Sequence, residues 1–276
     1  MTTIPPIISV LMPVYNGGEH LRPALDSVFA QSFGDFELVA VDDGSTDDTA
    51  SLLREAAARD DRLRVISLTV NTGIVRALNR GLAACQGRFL ARMDADDLAH
   101  PQRFRRQVDF LEANPDVAVV GTALRYIDRD GRSLCRIRSC RVAGSPLWAN
   151  PLLHPTVMIR RSLVPGHRLR YREAFRYAED YFLWLEIARW GRLAALDEVL
   201  LDYRLSPQAT RMARVKEVLG ATLKVKREAV RRLGYRWETA DLLRFGLEMA
   251  LQALPAAAIR WAYLLSEFGW QGRTAA

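Results

Sequence analysis

Over its first 93 residues the chain repeats one unit: an apolar run, a loop, and a segment with helical spacing. The apolar runs cover 7–12, 36–41, 63–67 and 88–93, and the helical spacing covers 19–32, 46–58 and 73–85. The runs are largely apolar at consecutive positions, so the strands must be buried on both faces. A sheet covered on both faces by crossover helices is parallel. The pattern therefore predicts a doubly wound, Rossmann-like α/β unit, its mostly parallel sheet flanked by helices. Ligands of such open sheets bind beyond the carboxyl ends of the strands. Four loops are thereby sent to one edge: Pro13-Val14-Tyr15-Asn16, Asp42 to Asp47, Asn71-Thr72-Gly73 and Asp94-Ala95-Asp96-Asp97.

The last of these loops sets three carboxylates within four residues. Asp, Ser and Thr are ordinary helix caps, but an N-capped turn accounts for one acid per loop, not three. Mutual repulsion disfavours such a loop unless a cation offsets it. All-oxygen ligands suit Mg2+ or Mn2+. Together with the acidic loop about fifty residues earlier, the pattern points to one metal-dependent site.

Beyond residue 100 the rhythm changes. A helix is expected over 101–113, a strand over 117–126, a hairpin turn at Asp128 to Gly131 and a strand over 132–138. A short strand at 156–160, a helix at 178–190 and a strand near 193–203 follow. Antiparallel additions of this kind would cover the acidic edge and form a second substrate pocket. Residues 209–270 read as helix throughout: 211–233 with one apolar and one basic face, then 239–252 and 256–268 about Pro255. The expected organisation is a catalytic domain over 1–208, with a donor half to about 100 and an acceptor half from about 101, and a helical C-terminal extension over 209–276.

The net charge is +7, and all but three of the 39 basic residues are arginine. A basic balance admits nucleic acid, anionic membrane surfaces or phosphorylated substrates as partners. No nucleic-acid-binding signature accompanies it, so nucleic acid is not expected as a partner. Cys85, Cys135 and Cys140 have no metal-ligand spacing and read as reduced thiols. The N-terminus lacks the basic region of a signal peptide and no apolar run reaches the length of a membrane span. A cytoplasmic protein is expected; its C-terminal helices either cap the acceptor side or bring the basic face of 211–233 (Lys216, Lys224, Arg227 and Arg231) into peripheral contact with the inner face of the membrane. The apolar stretch 249–265 would pack on the first domain or form a homodimer.

The edge loops can be read as a nucleotide-diphosphate site. Tyr15, at a strand end, can stack on a base, and Asp43 can accept a hydrogen bond from a base N–H. The Asp94–Asp97 loop can hold a cation against two phosphates, a Lewis-acid role that stabilises a departing diphosphate. Arg76 and Arg92 are candidate diphosphate contacts, because the guanidinium fork matches phosphate oxygens. Glu179 and Asp180 open a helix, where acids complement the helix dipole. Adjacent helical residues point about 100° apart, so one of the two can face a cleft and serve as general base. These considerations leave the choice between Glu179 and Asp180 open. His154 either lies beside acceptor or diphosphate or ties a loop, and Trp184 and Trp190 read as core more than as a sugar platform.

The ordered set Pro13-Val-Tyr-Asn-Gly17, Val41-Asp-Asp-Gly-Ser-Thr-Asp47, Asn71-Thr-Gly73, Ala91-Arg-Met-Asp-Ala-Asp-Asp97, Leu153-His-Pro-Thr156 and Ala178-Glu-Asp180 resembles family 2 of the glycosyltransferases. The resemblance runs from about residue 7 to about residue 205 and implies the nucleotide-sugar-binding fold called GT-A. It implies a metal-dependent inverting transfer from a UDP- or dTDP-sugar to a hydroxyl on a glycan or lipid-linked acceptor, in surface polysaccharide or glycan assembly. Tyr15 would line the base pocket with Pro13, Asn71, Arg76 and Ala95, and Asp43 would bond N3 of uracil or thymine. Asp94 would approach the ribose, Asp96 with Asp97 would ligate Mn2+ or Mg2+ in a DXD motif, and Asp180 matches the family's base. His154, Glu179 and Trp184 would face acceptor or diphosphate. The chain departs from the family at Glu186, where an Arg often stands, and after Tyr203-Arg204, where a His often stands. The second departure leaves a third protein ligand to the metal unassigned. Two other classes share parts of this signature. A sugar-1-phosphate nucleotidyltransferase would need Arg and Lys in the first loop, which Pro13 to Gly18 lacks. A non-catalytic nucleotide-sugar-binding protein would not need the intact carboxylates.

Overall fold

The computed structural model describes residues 5–205 and 214–261. Strands β1 (Ile8–Val14), β2 (Phe36–Asp42), β3 (Leu63–Ser67) and β4 (Phe89–Arg92) alternate with helices α1 (Gly18–Phe29), α2 (Thr49–Ala57) and α3 (Ile74–Leu82). They are followed by β5 (Leu98–Ala99), α4 (Arg103–Ala113), β6 (Val117–Ile127), β7 (Ser133–Arg138), β8 (Met158–Arg160), α5 (Glu179–Ile187) and β9 (Arg192–Arg204). Two long helices close the described chain, α6 (Val215–Leu233) and α7 (Thr239–Gln252), with a further helical turn over 256–261.

All nine strands form one sheet in the order β3-β2-β1-β4-β8-β6-β9-β5, with β7 added to β6. β1 lies parallel to both β2 and β4, pairing Ile8 with Phe36 on one side and with Phe89 on the other. The consecutive apolar residues of these strands divide between two cores. Val10, Met12, Leu38 and Ala40 pack with Leu21, Leu25 and Phe104 on one face, whereas Leu11, Val39 and Val41 pack with Leu78, Leu183 and Trp184 on the other. Period-two alternation within an all-apolar run is thus what gives the sheet two covered faces. A third cluster joins Tyr181, Phe182 and Leu185 of α5 to Val225 and Ala229 of α6, which seats α6 on the back of α5.

The second half departs from the expected antiparallel addition in one respect. β8 runs antiparallel to β4 and β6, and β7 and β5 are antiparallel to their neighbours, but β9 lies parallel to β6 along its length. β9 runs opposite to β8, and because β6 also runs opposite to β8, β9 and β6 come out parallel. The two-residue strand β5 has no counterpart in the sequence pattern, being too short to carry periodicity. It turns the chain after Asp97 back onto β9. The helix expected over 211–233 begins at Val215; residues 211–213 and 262–268 of the expected helices lie outside the described residues.

Candidate active site

The edge beyond β1, β2 and β4 is built by short-range hydrogen bonds between loops distant in sequence. Asn16, at the end of β1, takes a left-handed φ of 50°, a conformation that Asn tolerates better than most residues. Its Oδ1 accepts from Thr46 N at 2.9 Å and its own N donates to Ser45 Oγ at 2.9 Å. Gly17 N donates to Thr49 Oγ1 and Gly18 N to Asp47 Oδ2, so the first loop is stitched to the acidic turn after β2. Within that turn Asp42 Oδ1 accepts Ser45 N. Gly44, at φ +69°, lies so close to the Val70 backbone that a Cβ would fall 2.4 Å from its carbonyl carbon.

Asp43 is buried and holds the third loop. Its Oδ1 accepts from Thr72 N at 2.8 Å and Thr72 Oγ1 at 2.7 Å, and its Oδ2 accepts from Gly73 N at 2.8 Å. Two of its four acceptor positions are therefore filled on Oδ1 and one remains on Oδ2. Tyr15 stands beside it with half its surface exposed, a free aromatic face at the mouth of the edge.

The Asp94–Asp97 loop concentrates negative charge in little water. Asp94, Asp96 and Asp97 each offer a carboxylate oxygen within 4.8 Å of the others. Arg92, itself buried, donates through Nη1 to Asp94 Oδ2 at 2.6 Å, and its second Nη pairs with Oδ1. Arg92 is therefore committed to Asp94 and is not open to a diphosphate, a correction to its expected role. Of the other nearby cations, the wholly buried Arg103 feels the charge of Asp97 without forming an ion pair with it, and Arg204 pairs with none of the remaining acids. Arg204 spends its guanidinium on the carbonyls of Asp96, Asp128 and Arg129, and only its backbone N reaches Asp97 Oδ1, at 3.0 Å. Asp97 Oδ2 is buried with no partner. Burial first, and then the charge of Asp94, push Asp96 up to about 6, and the same causes with Asp96 added hold Asp97 well above the usual carboxylate range. A buried carboxylate without an ion-pair or hydrogen-bond partner on one oxygen is costly. The donor set, three hard oxygens with an orphaned buried oxygen among them, fits a divalent cation of the Mg2+ or Mn2+ class.

The second carboxylate pair lies at the start of α5. Asn150 Nδ2 donates to Asp180 Oδ2 at 2.8 Å, and Tyr181 N donates to Asp180 Oδ1 at 2.8 Å, leaving Asp180 oriented and partly exposed. Glu179 is buried, with Oε2 unpartnered, and burial followed by the charge of Asp180 pushes it up to about 7. The fields of Arg92 and Asp180 both reach Glu179 and Tyr171, so this pair adjoins the β4 edge. His154 links the two: its Nε2 lies 2.9 Å from Tyr171 Oη and its ring meets the edge of Trp184 at 5.9 Å. Trp184 has no exposed surface, so it supports His154 from behind and presents no face to a sugar. Glu186, the departure from the family pattern, is buried and paired with Arg172 at 2.7 Å and Arg168 at 3.7 Å. Arg76 is exposed and paired with Glu173 at 3.1 Å. Ala95 is partly buried against the first core. Of the segment after Tyr203-Arg204, Leu205 is described, and Ser206 and Pro207 lie outside the described residues.

Sequence reasoning did not find Asn150, Tyr171 or Arg204. Each acts through a partner 17 or more residues away: 30 for Asn150 on Asp180, 17 for Tyr171 on His154 and 107 for Arg204 on Asp97. The one available signal was Asn150 before Pro151 in a turn-rich stretch, which marks a loop and not its target.

The model for "Glycosyl transferase family 2" matches residues 9–169, a span that holds the four edge loops and His154. The chain belongs to that family. Among curated relatives, it is 32% identical over 240 residues to an uncharacterized glycosyltransferase of Haemophilus influenzae, covering 82% of this chain and 73% of the relative. It is 31% identical to the amylovoran biosynthesis glycosyltransferase AmsE of Erwinia amylovora, covering 72% of this chain and 76% of the relative. Among solved structures it resembles the mannosyltransferase PcManGT from Pyrobaculum calidifontis in complex with GDP-Man and Mn2+, with TM-score 0.67, 22% identity, 97% of this chain and 82% of that one. S. aureus TarS 1–349 in complex with UDP aligns with TM-score 0.62, 20% identity, 92% of this chain and 79% of that one. Against a longer TarS chain it spans 43% of the length. The family 2 chain is thus a transferase with the GT-A fold and a C-terminal helical extension. No helix among its described residues is long and apolar enough to cross a membrane.

Proposed function

We propose that this family 2 enzyme transfers a sugar, with inversion, from a UDP- or dTDP-sugar to a hydroxyl on a glycan or lipid-linked acceptor, in surface polysaccharide or glycan assembly. The observation that carries the proposal is the under-compensated Asp94–Asp96–Asp97 cluster beside a separately oriented Asp180. Asp96 and Asp97 would hold Mn2+ or Mg2+, and the ion would supply charge neutralisation for the departing diphosphate. Tyr15 stacks on the base, and the free acceptor position of Asp43 Oδ2 takes the base N3–H. Pro13, Asn71 and Ala95 line the same pocket, Arg76 lies on its diphosphate side where the α3 groove begins, and Asp94, held by Arg92, faces the ribose. PcManGT in complex with GDP-Man and Mn2+ and TarS in complex with UDP support donor binding and metal use, and the free acceptor position on Asp43 Oδ2 suits a base N–H.

Asp180 acts as general base. Its carboxylate accepts the acceptor hydroxyl proton as the oxygen bonds to the anomeric carbon, while the bond from that carbon to the diphosphate breaks and the electron pair leaves with the nucleotide. One base and one leaving group on opposite faces of the sugar give a single displacement and inversion. Asn150 and Tyr181 N fix the carboxylate, and His154, held by Tyr171 and Trp184, borders the acceptor side. Glu179, buried beside Asp180, adjoins the diphosphate.

The test is a thermal-shift screen of UDP-, dTDP- and GDP-sugars with and without Mn2+, followed by transfer assays of Asp180→Asn. Binding stabilises by RT ln(1 + [L]/Kd), so the donor stands out as the largest shift. Asp180→Asn should keep the donor shift and lose transfer by about 100-fold or more; retained transfer would remove Asp180 from the mechanism. A metal-dependent donor shift without hydrolysis or transfer in the unaltered protein would favour binding without catalysis. Leu242, Leu243, Leu247 and Met249, exposed on α7, support contact of the extension with a membrane surface or a second subunit. Vesicle sedimentation against analytical ultracentrifugation separates those two.

A further inference from the structure

A groove of about 1160 Å3 runs along the outer side of α3, from Arg76 and Glu173 to Gly87 and Arg88, against the segment from Arg161 to Glu173. Its charge is arginine-based. Arg76 and Arg80 stand one turn apart on α3, and Arg88, Arg161 and Arg170 line the rest. Two of the five are neutralised by acids, Arg76 by Glu173 and Arg88 by Glu112. Arg161 donates through Nη1 only to the carbonyls of Cys85 and Gly87, at 2.9 Å each, so its charge is retained. Arg80 and Arg170 are exposed and have no carboxylate partner among the described residues. Three uncompensated cations thus face one open channel, an arrangement that self-repulsion disfavours without an anion. Of the apolar lining residues, Leu82, Val164 and Leu169 are buried and Ala83 is exposed.

The groove is coupled to the catalytic edge through its wall. Asn79, which lines it, donates through Nδ2 to Tyr171 O at 2.8 Å and accepts Tyr171 N at 2.9 Å, and Tyr171 Oη meets His154. The same wall continues through Glu173–Phe175 into the N-terminus of α5, where Asp180 sits. We infer that this arginine groove binds an acidic glycan, charged by carboxylates or phosphodiesters, as the acceptor chain whose end reaches Asp180. Binding itself stands on the groove alone; its role as acceptor rests on the transferase reading above. An extended chain is the fitting occupant, because α3 is about 13 Å long at 1.5 Å per residue and carries cations at separate turns.

The experiment uses the full chain and fluorescent oligogalacturonate, a poly(glycerol phosphate) chain, a neutral malto-oligosaccharide of matched length and polyuridylate, by polarisation at low salt. The expected result is binding of one or both acidic glycans, none of the neutral one, and loss of binding as salt screens the groove. Arg80→Ser with Arg170→Ser should weaken that binding about tenfold, as expected when two exposed cations are removed from the groove at once. The metal-dependent donor shift of the same variant should be unchanged, since neither residue lies at the donor edge. Absence of acidic-glycan binding, equal binding of the neutral chain, or unaltered affinity in the double variant overturns the inference. Tighter binding of polyuridylate than of either glycan overturns it in favour of a nucleic-acid groove. A missing donor shift in the unaltered protein would sink the proposed donor assignment and leave the groove standing.

Discussion

Glu179 and Asp180 are neighbours on one turn of α5, and their surroundings separate them. Asp180 is partly exposed and held by Asn150 and Tyr181 N, whereas Glu179 is buried with an unpartnered oxygen. Because the Glu179 carboxyl is pushed up to about 7, the folded protein holds this proton longer than the unfolded chain does. The stability it contributes is complete below about pH 4.5 and is lost as the pH rises through about 7. Glu179→Gln removes the titration, so the variant should gain on the unaltered protein between those values and lead by about 1–3 kcal/mol at pH 8. Thermal melts at pH 5 and pH 8 read the difference; equal behaviour at both would contradict it. Asn150→Ala, by contrast, removes a charge-assisted hydrogen bond from the proposed base. It should lower kcat about tenfold with the donor shift intact, and a kcat equal to that of the unaltered protein would show that Asn150 does not position Asp180. At this scale the sequence disclosed charge but not its compensation. Asp94, Asp96 and Asp97 were visible because three acids on one loop conflict with folding, while the commitment of Arg92 to Asp94 and of Arg204 N to Asp97 arises only when β4 and β9 meet.

Between elements, the edge depends on close contact of loops, and Gly44 carries the tightest of these. Its φ of +69° and its approach to Val70 and Asn71 exclude a side chain on both counts. Gly44→Ala should displace the 70–73 loop from Asp43, costing about 2 kcal/mol or more and lowering Tm by roughly 4–8 °C. It should weaken the donor shift at the same time, because Asp43 loses its register with Thr72 and Gly73. An unchanged Tm would show that the loop can yield without cost. The same scale explains what was legible. β1 to β4 and α1 to α3 follow from runs long enough to show their period, and their ends fall within a few residues of the expected ones. β5 was not legible because two residues carry no period, and the parallel pairing of β9 with β6 was not legible because it depends on β8 lying between β4 and β6 and running opposite to both, an arrangement not written in the strand's own residues.

Across the whole molecule the C-terminal helices reach the site through the loop that holds the base. Lys226, on α6, is wholly buried; its Nζ donates to Glu248 Oε2 of α7 at 2.6 Å and to Trp148 O at 3.1 Å. Asp241 of α7 accepts from Ser145 Oγ at 2.6 Å. The 145–150 loop is thereby braced at two points, and its last residue, Asn150, orients Asp180. The sequence placed Lys226 on an ordinary helix, since nothing local distinguishes a buried lysine from a solvated one. Lys226→Met should destabilise by about 3 kcal/mol, because Glu248 is left with Arg244 alone and the Trp148 carbonyl with no charge partner. Adding Glu248→Leu replaces the buried pair with apolar volume, a change that often restores stability. It does not restore the hydrogen bond to Trp148 O. If the helices serve transfer through that loop, the double variant should regain most of its Tm, retain the donor shift, and keep a kcat several-fold below that of the unaltered protein. A kcat that returns in step with Tm would reduce the extension to a structural cap on α5, with no part in positioning the base.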